Sequence, residues 1–186
     1  MTALRETLTP IYTALGMASA AVLLAALILC KLAQLVFVKG GSMEHTLRAG
    51  DLLLVTKWGK YGRGDVVICH YPRRSEELLR LGAAFSLTKH TVFVKRLAAL
   101  PGDTVEIAEG RLIVNGQVME DPEKMASPPR DYPCRRLAKN QYFVIGDHRA
   151  SSHDSRASDV GPIPESMLIG HVRFRLWPLK RIGRIK

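Results

Sequence analysis

Arg111-Leu112-Ile113-Val114-Asn115-Gly116-Gln117-Val118-Met119 sets an Asn-Gly pair between two apolar runs. Asn and Gly tolerate the positive φ angles of a two-residue hairpin turn, so the stretch predicts two antiparallel strands joined at residues 115 and 116. Working outward, short apolar runs recur. Upstream they cover residues 51–55, 65–71, 91–97 and 104–107; downstream, 141–145 and 169–176. Gly50, Gly59, Gly64 and Pro72 punctuate them. Short strands with this punctuation predict a mainly β fold class, a coiled antiparallel β-sheet or barrel-like domain. Two stretches break the pattern. Residues 75–84 hold Leu78, Leu79 and Leu81 among charges and read as one short helix; residues 120–139 are rich in Pro and charge and read as a long loop. Residues 73–90 form an insert longer than a connection between two strands needs.

The N-terminus reads differently. Ile11 to Cys30 carry no charge, and a helix of that length spans about 30 Å, the thickness of a bilayer's hydrocarbon core. Lys31 can snorkel to the interface. No polar stretch with a small-residue cleavage site follows, which favours a retained anchor over a cleaved leader. The organisation expected is therefore a short tail over 1–10, a transmembrane anchor with its juxtamembrane segment over 11–38, and a β-rich domain over 39–186. Lys31, Lys39 and Arg48 follow the anchor and Arg5 precedes it, so the positive-inside rule alone places the large domain in the cytoplasm. That rule weakens for long translocated domains.

The chain of 186 residues has a formal net charge of +10. A basic balance can serve nucleic acid, an anionic membrane surface or plain solubility. There is no basic helix with periodic arginines, no zinc-ligand spacing and no aromatic-rich strand motif, so nucleic acid is not expected as a partner. For a tethered domain, anionic lipid head groups are the better partner. No metal and no cofactor are expected. Three cysteines do not make a disulfide framework. One bridge, Cys69 to Cys134, is possible in an oxidising compartment, though nothing in the sequence requires it.

Three local features carry chemistry. In Val92-Phe93-Val94-Lys95-Arg96-Leu97 the strand period places Phe93, Lys95 and Leu97 on one face. An amine between large apolar neighbours is desolvated, which lowers its pKa and fits it for general-base work. Ser42 follows Gly40 and Gly41. Glycines let the backbone turn tightly, presenting a hydroxyl beside free N–H groups that can hold an oxyanion. The third feature, residues 146–156, reads Gly-Asp-His-Arg-Ala-Ser-Ser-His-Asp-Ser-Arg directly after a strand. So many polar side chains in one loop need partners, and the loop can orient a catalytic group.

Four segments in order then resemble the bacterial type I signal peptidases, membrane-anchored Ser–Lys proteases that remove signal peptides from exported proteins. Ser42-Met43 with Thr46-Leu47 and Gly50-Asp51 resembles the nucleophile box. Gly64-Asp65-Val66-Val67 resembles the next strand, and Lys95-Arg96 with Leu100-Pro101-Gly102-Asp103 the general-base box. Gly146-Asp147 with Ser152 and Asp154-Ser155-Arg156 resembles the last, trailed by Gly161 and Pro164. The single anchor and short length resemble the compact forms of Gram-positive type.

The resemblance implies Ser42 as nucleophile and Lys95 as general base, a recognised variant of triad logic. It implies an oxyanion hole built on the Ser42 N–H, with Gly40 standing where some members supply a hydroxyl. Ser152 would orient the Lys95 amine. Asp154 would form an ion-pair network with Arg96 and Arg156, and Asp147 would stabilise the same turn. Val36, Val38, Met43, Leu47, Phe93 and Val94 match positions that line shallow apolar pockets, which would accept Ala at the first and third positions before the cut. The substrate would bind as an added strand. The catalytic domain would lie on the outer face of the cell membrane, against the charge count, with preproteins and membrane lipid as partners.

Two residues depart from the family pattern. His45 stands where the family has Pro before the threonine, and losing the fixed φ of proline is expected to loosen that turn. His148 stands where Asn is usual. Alternative readings are a specialised Ser–Lys processing peptidase for pilin or conjugation proteins, and a non-enzymatic anchored β-domain that binds peptides.

Overall fold

The computed structural model describes residues 2–70, 92–119 and 131–185, with side chains left aside for 2–11 and 27–30. It divides into two units, 1–34 and 35–186. The first is built on α1 (Thr2–Leu32). Its described side chains from Tyr12 to Ala26 are all exposed, Leu15, Val22, Leu23 and Leu24 among them. Among the described residues, no helix is long and apolar enough to cross a membrane.

The second unit is mainly β, as its punctuated apolar runs predict. Its strands are β1 (Ala33–Phe37), β2 (Leu52–Thr56), β3 (Val66–His70), β4 (Val92–Ala99), β5 (Thr104–Ala108), β6 (Arg111–Val114), β7 (Gln117–Val118), β8 (Tyr132–Arg136), β9 (Gln141–Ile145), β10 (Ile163–Pro164), β11 (Leu168–Trp177) and β12 (Gly183–Arg184). The larger sheet runs β1-β2-β11-β3-β4-β9-β10, with β12 on β11; the smaller runs β7-β6-β5-β8. The Asn-Gly hairpin forms as expected, with φ of +53° at Asn115 and +76° at Gly116.

The larger sheet coils because β11 is long and irregular. Its first half pairs with β3 and its second half with β2, and register shifts interrupt both ladders. Each extra residue bends the strand and adds twist. Gly170 lies at the tightest point: a methyl built there would sit 2.4 Å from the Thr56 carbonyl oxygen, so only glycine lets the two backbones approach.

The alternation of β4 distributes the core. Val94 packs with Val38, Met43, Leu47, Leu53, Ile68 and neighbours in one cluster. Phe93 and Leu97 pack with Val67, Cys69, Val144 and Ile163 in a second. Ala98 and Ala99 join a third, which includes Val105, Val114, Tyr132 and Phe143. Successive side chains in a strand point to opposite faces, so one strand feeds separate cores.

Leu100-Pro101-Gly102-Asp103 ties the two sheets. Asp103 accepts from the Leu100 N–H at 2.8 Å, from the Asn115 amide at 2.7 Å and from Arg63 at 2.9 Å. Burial alone would raise its pKa; the Leu100 N–H, Asn115 and Arg63 together hold it below the ordinary carboxylate range.

Several expectations are corrected. Residues 132–136 form a strand where a loop was expected, since β8 is an edge strand paired to β5 and mostly exposed. Residues 33–37 form β1, within the span read as anchor and juxtamembrane segment. Cys69 and Cys134 are both free thiols, one buried in the sheet and one exposed. Burial pushes the Cys69 thiol up to about 12, so it is unreactive at neutral pH. The short helix expected over 75–84, and most of the 73–90 insert, lie outside the described residues.

Candidate active site

The site is assembled where the turn carrying Ser42 meets the end of β9. Glu44 N–H donates to the Gly41 carbonyl at 3.0 Å, so Gly41 to Glu44 close a tight turn with Ser42 in its first half. The Leu47 N–H donates to the Met43 carbonyl at 2.8 Å and extends the coil. Gly40 enters the turn with φ of +89°, a left-handed conformation that favours glycine. Among the described residues, the Ser42 N–H makes no hydrogen bond.

Lys95 is 1% exposed, on the Phe93 and Leu97 face of β4, as its alternation predicts. Its Nζ donates to Ser152 Oγ at 2.9 Å. Burial lowers the Lys95 pKa; the Asp154 carboxylate opposes that shift, and Arg156 adds to it. The Ser152 hydroxyl in turn bonds Asp154. Asp154 also accepts from the Gly146 N–H at 3.0 Å and is clamped by Arg156 at 2.8 and 2.9 Å. Burial alone would raise the Asp154 pKa, but Arg156 first, then Ser152 and Gly146, hold it below the ordinary carboxylate range. The chain Lys95–Ser152–Asp154–Arg156 thus fixes the amine in place with every buried polar group paired.

Ser42 and Ser152 meet across Gly146. A methyl built on Gly146 would lie 2.2 Å from Ser152 Oγ and 2.4 Å from the Ser42 carbonyl oxygen. The Ser42 carbonyl also accepts from the His148 N–H at 3.1 Å. Among the described residues there is no hydrogen bond between Ser42 Oγ and Lys95 Nζ. Catalytic hydrogen bonds of a free enzyme commonly close only when substrate is bound.

The ion-pair network differs from the one expected. Asp154 forms its ion pair with Arg156, while Arg96 forms a two-pronged pair with Asp147 at 2.7 Å on both prongs. Alternation is the reason: Arg96 points to the opposite face of β4 from Lys95, so a carboxylate on the Lys95 side is out of its reach. Asp147 also accepts from the Thr46 hydroxyl, which joins the Ser42 turn to the β9 end. A two-pronged guanidinium–carboxylate pair fixes orientation as well as charge.

Three supporting residues carry no role in the sequence reading: Thr46 and Asp51 from the first box, and Arg149 from the polar loop. Thr46 links Asp147 and Arg96, and its carbonyl accepts from Arg175 at 2.9 Å. Arg149 is buried and donates to the Gly146 carbonyl at 2.9 Å; burial, with Arg156 nearby, pushes it down to about 10. Asp51 is buried against Arg175 and Arg181, which anchors the end of the nucleophile box to β11. The partners of Thr46 and Asp51 come from distant strands, so no local pattern marks their roles.

The pocket residues separate. Val36, Val38, Met43, Leu47 and Val94 gather in one cluster, with Val36 and Val94 only partly buried. Met43 and Leu47 are 1% and 0% exposed, so they can form only the floor of a pocket. Phe93 belongs to the opposite face, with Cys69 and Leu97, because adjacent strand residues cannot share a face.

A buried lysine is thus held by Ser152, and Ser152 meets the glycine-borne Ser42 turn across Gly146, on a coiled antiparallel sheet; the class to which this sheet and sequence belong, the serine endopeptidases, follows from the relatives. The chain belongs to the signal peptidase family, peptidase S26, which it matches over residues 11–177. It is 34% identical over 153 residues to the probable signal peptidase I-1 of Synechocystis sp., covering 80% of this chain and 74% of that one. It is 33% identical over 180 residues to signal peptidase I T of Bacillus subtilis, covering 89% and 85%. A crystal structure of a signal peptidase I from Enterococcus faecalis superimposes with a TM-score of 0.43 at 24% identity, over 61% of this chain and 97% of the other.

Proposed function

We propose that this signal peptidase cuts preproteins after an Ala-x-Ala-like site, with Ser42 as nucleophile, Lys95 as general base and Ser152 as the residue that orients Lys95. The observation that carries the reading is the buried Lys95 amine held at 2.9 Å by Ser152, whose neighbour across Gly146 is Ser42. Lys95 takes the Ser42 proton as Oγ attacks the scissile carbonyl. The oxyanion forms against the Ser42 N–H, beside Gly40. Lys95 then passes its proton to the leaving amine, and water releases the signal peptide by the same steps in reverse order. Asp154 with Arg156, and Asp147 with Arg96, hold the two sides of the loop.

The substrate lies as an added strand, its small side chains over Val36, Val94 and the Met43–Leu47 floor. A methyl fits a shallow apolar depression and a larger side chain overlaps its walls. The uncharged run of residues 11–30 in the sequence serves as the single membrane anchor, with the catalytic unit on the outer face, where signal peptides emerge.

Cleavage of a purified preprotein by detergent-solubilised protein tests this. Wild type cuts after Ala-x-Ala, Ser42→Ala does not, and Leu at the third position before the cut lowers kcat/KM by about tenfold or more. Cleavage that tolerates Leu there would remove the pocket assignment. Cleavage of a pilin-type substrate alone would favour a specialised processing peptidase.

A further inference from the structure

His45 and His148, the two departures from the family pattern, meet in space over the nucleophile turn. Their rings pack edge to face with centroids 5.9 Å apart. His45 adopts φ of +85°. Proline is locked near −65°, so this turn is one that proline could not occupy, and a fixed φ has been replaced by a different backbone path.

His148 grips that turn at two points. Its backbone N–H donates to the Ser42 carbonyl at 3.1 Å. Its ring Nδ1 lies 3.3 Å from the Gly41 carbonyl oxygen, 3.2 Å from a Glu44 carboxylate oxygen and 2.7 Å from Ser151 Oγ. The Gly41 carbonyl and the Glu44 carboxylate can only accept, so with its single proton on Nδ1 the ring shares that proton among these oxygens and Ser151 Oγ. The Gly41 carbonyl also accepts the Glu44 N–H of the turn at 3.0 Å, so His148 adds a second hold on a peptide group the turn already orients. The Gly41 carbonyl and the Ser42 N–H belong to the same peptide group. That group is planar and trans, so the direction of one end fixes the direction of the other.

We propose that His148 is a positioning residue for the oxyanion donor: by bonding the Gly41 carbonyl, its Nδ1–H aims the Ser42 N–H at the place where negative charge develops. The proposal rests on Ser42 being the nucleophile. Donors aimed in advance matter most in the transition state, so the effect falls on kcat and leaves KM nearly unchanged. Glu44 and Ser151 hold the ring, and the His45 ring packs against it at right angles. An Asn side chain carries its amide nitrogen on the same Cγ position as Nδ1, so it can replace the donor; Leu has similar bulk and no donor.

The test compares kcat and KM of wild type, His148→Leu, His148→Asn and Ser42→Ala on an Ala-x-Ala preprotein, with a melting curve for each. His148→Leu is expected to lower kcat about tenfold with KM within about twofold, and His148→Asn to stay within about threefold of wild type. Wild-type kcat in His148→Leu would overturn the proposal. Equal losses in the Leu and Asn variants would also overturn it, by showing that the ring and not its donor matters. Should His148→Leu fail to fold, His148→Gln, whose amide sits one bond too far out, takes its place with the same expected loss. Activity surviving in Ser42→Ala would sink the nucleophile assignment itself; an inactive Ser42→Ala beside an unaffected His148→Leu would sink only the clamp.

Discussion

Lys95→Met is expected to abolish signal peptide cleavage and to stabilise the fold at the same time. The loss of rate follows from removing the proposed general base, about 10³-fold or more, since a base and its nucleophile act as a unit. The gain in stability follows from burial. Lys95 is 1% exposed and its pKa is lowered, first by desolvation. Below its folded pKa the native state must keep an ammonium group out of water. Between that value and the ordinary lysine value near 10.4, the unfolded chain binds more protons, so wild-type stability rises with pH across the window. Methionine has similar volume and no charge, and the variant lacks this slope. Its advantage is greatest on the acid side of the window and shrinks as pH rises through it. Thermal melting of both proteins at several pH values reads the difference. A variant less stable than wild type at every pH would mean that the Ser152 and Asp154 contacts outweigh desolvation.

The same titration predicts that wild-type kcat/KM rises with pH on its acid side, as the neutral amine becomes populated.

Gly146→Ala carries the second large effect. The added methyl would meet Ser152 Oγ at 2.2 Å, Ser152 Cβ at 2.5 Å and the Ser42 carbonyl oxygen at 2.4 Å. No rotamer change relieves the last contact, because it is backbone. The Ser42 turn and Ser152 are therefore forced apart. A misplacement of about 1 Å costs on the order of 10²-fold in rate, and overpacking costs about 1–3 kcal/mol of stability. Gly183→Ala is the control, since a methyl there meets nothing within 4 Å. Preprotein cleavage and melting curves for the two variants check both parts. A Gly146→Ala enzyme of wild-type rate would show that Ser42 and Ser152 need not be held together.

What was legible in the sequence were features carried by local pattern. Asn115-Gly116 declared its hairpin because both residues need positive φ. Lys95 declared its face because alternation alone fixes it. The edge strand β8 was hidden because Tyr132-Pro133-Cys134-Arg135-Arg136 buries one side chain and exposes the rest. Partnerships that depend on topology were hidden too. Arg96 pairs with Asp147, and Asp154 with Arg156, because of which side of β4 each residue meets. The role of Gly146 rests on the distant Ser42 converging with the nearby Ser152 at its Cα, and no local spacing encodes the approach of Ser42. His45 and His148 could be flagged one at a time, but their contact exists only in the folded chain.

The most direct test of the Ser42 assignment is a rapid-quench reaction of wild type with an Ala-x-Ala preprotein, followed by mass spectrometry of the digested enzyme. A transient ester between the signal peptide carboxyl and the peptide containing Ser42 is expected, absent in Ser42→Ala. Full turnover with an adduct on any other residue would contradict it.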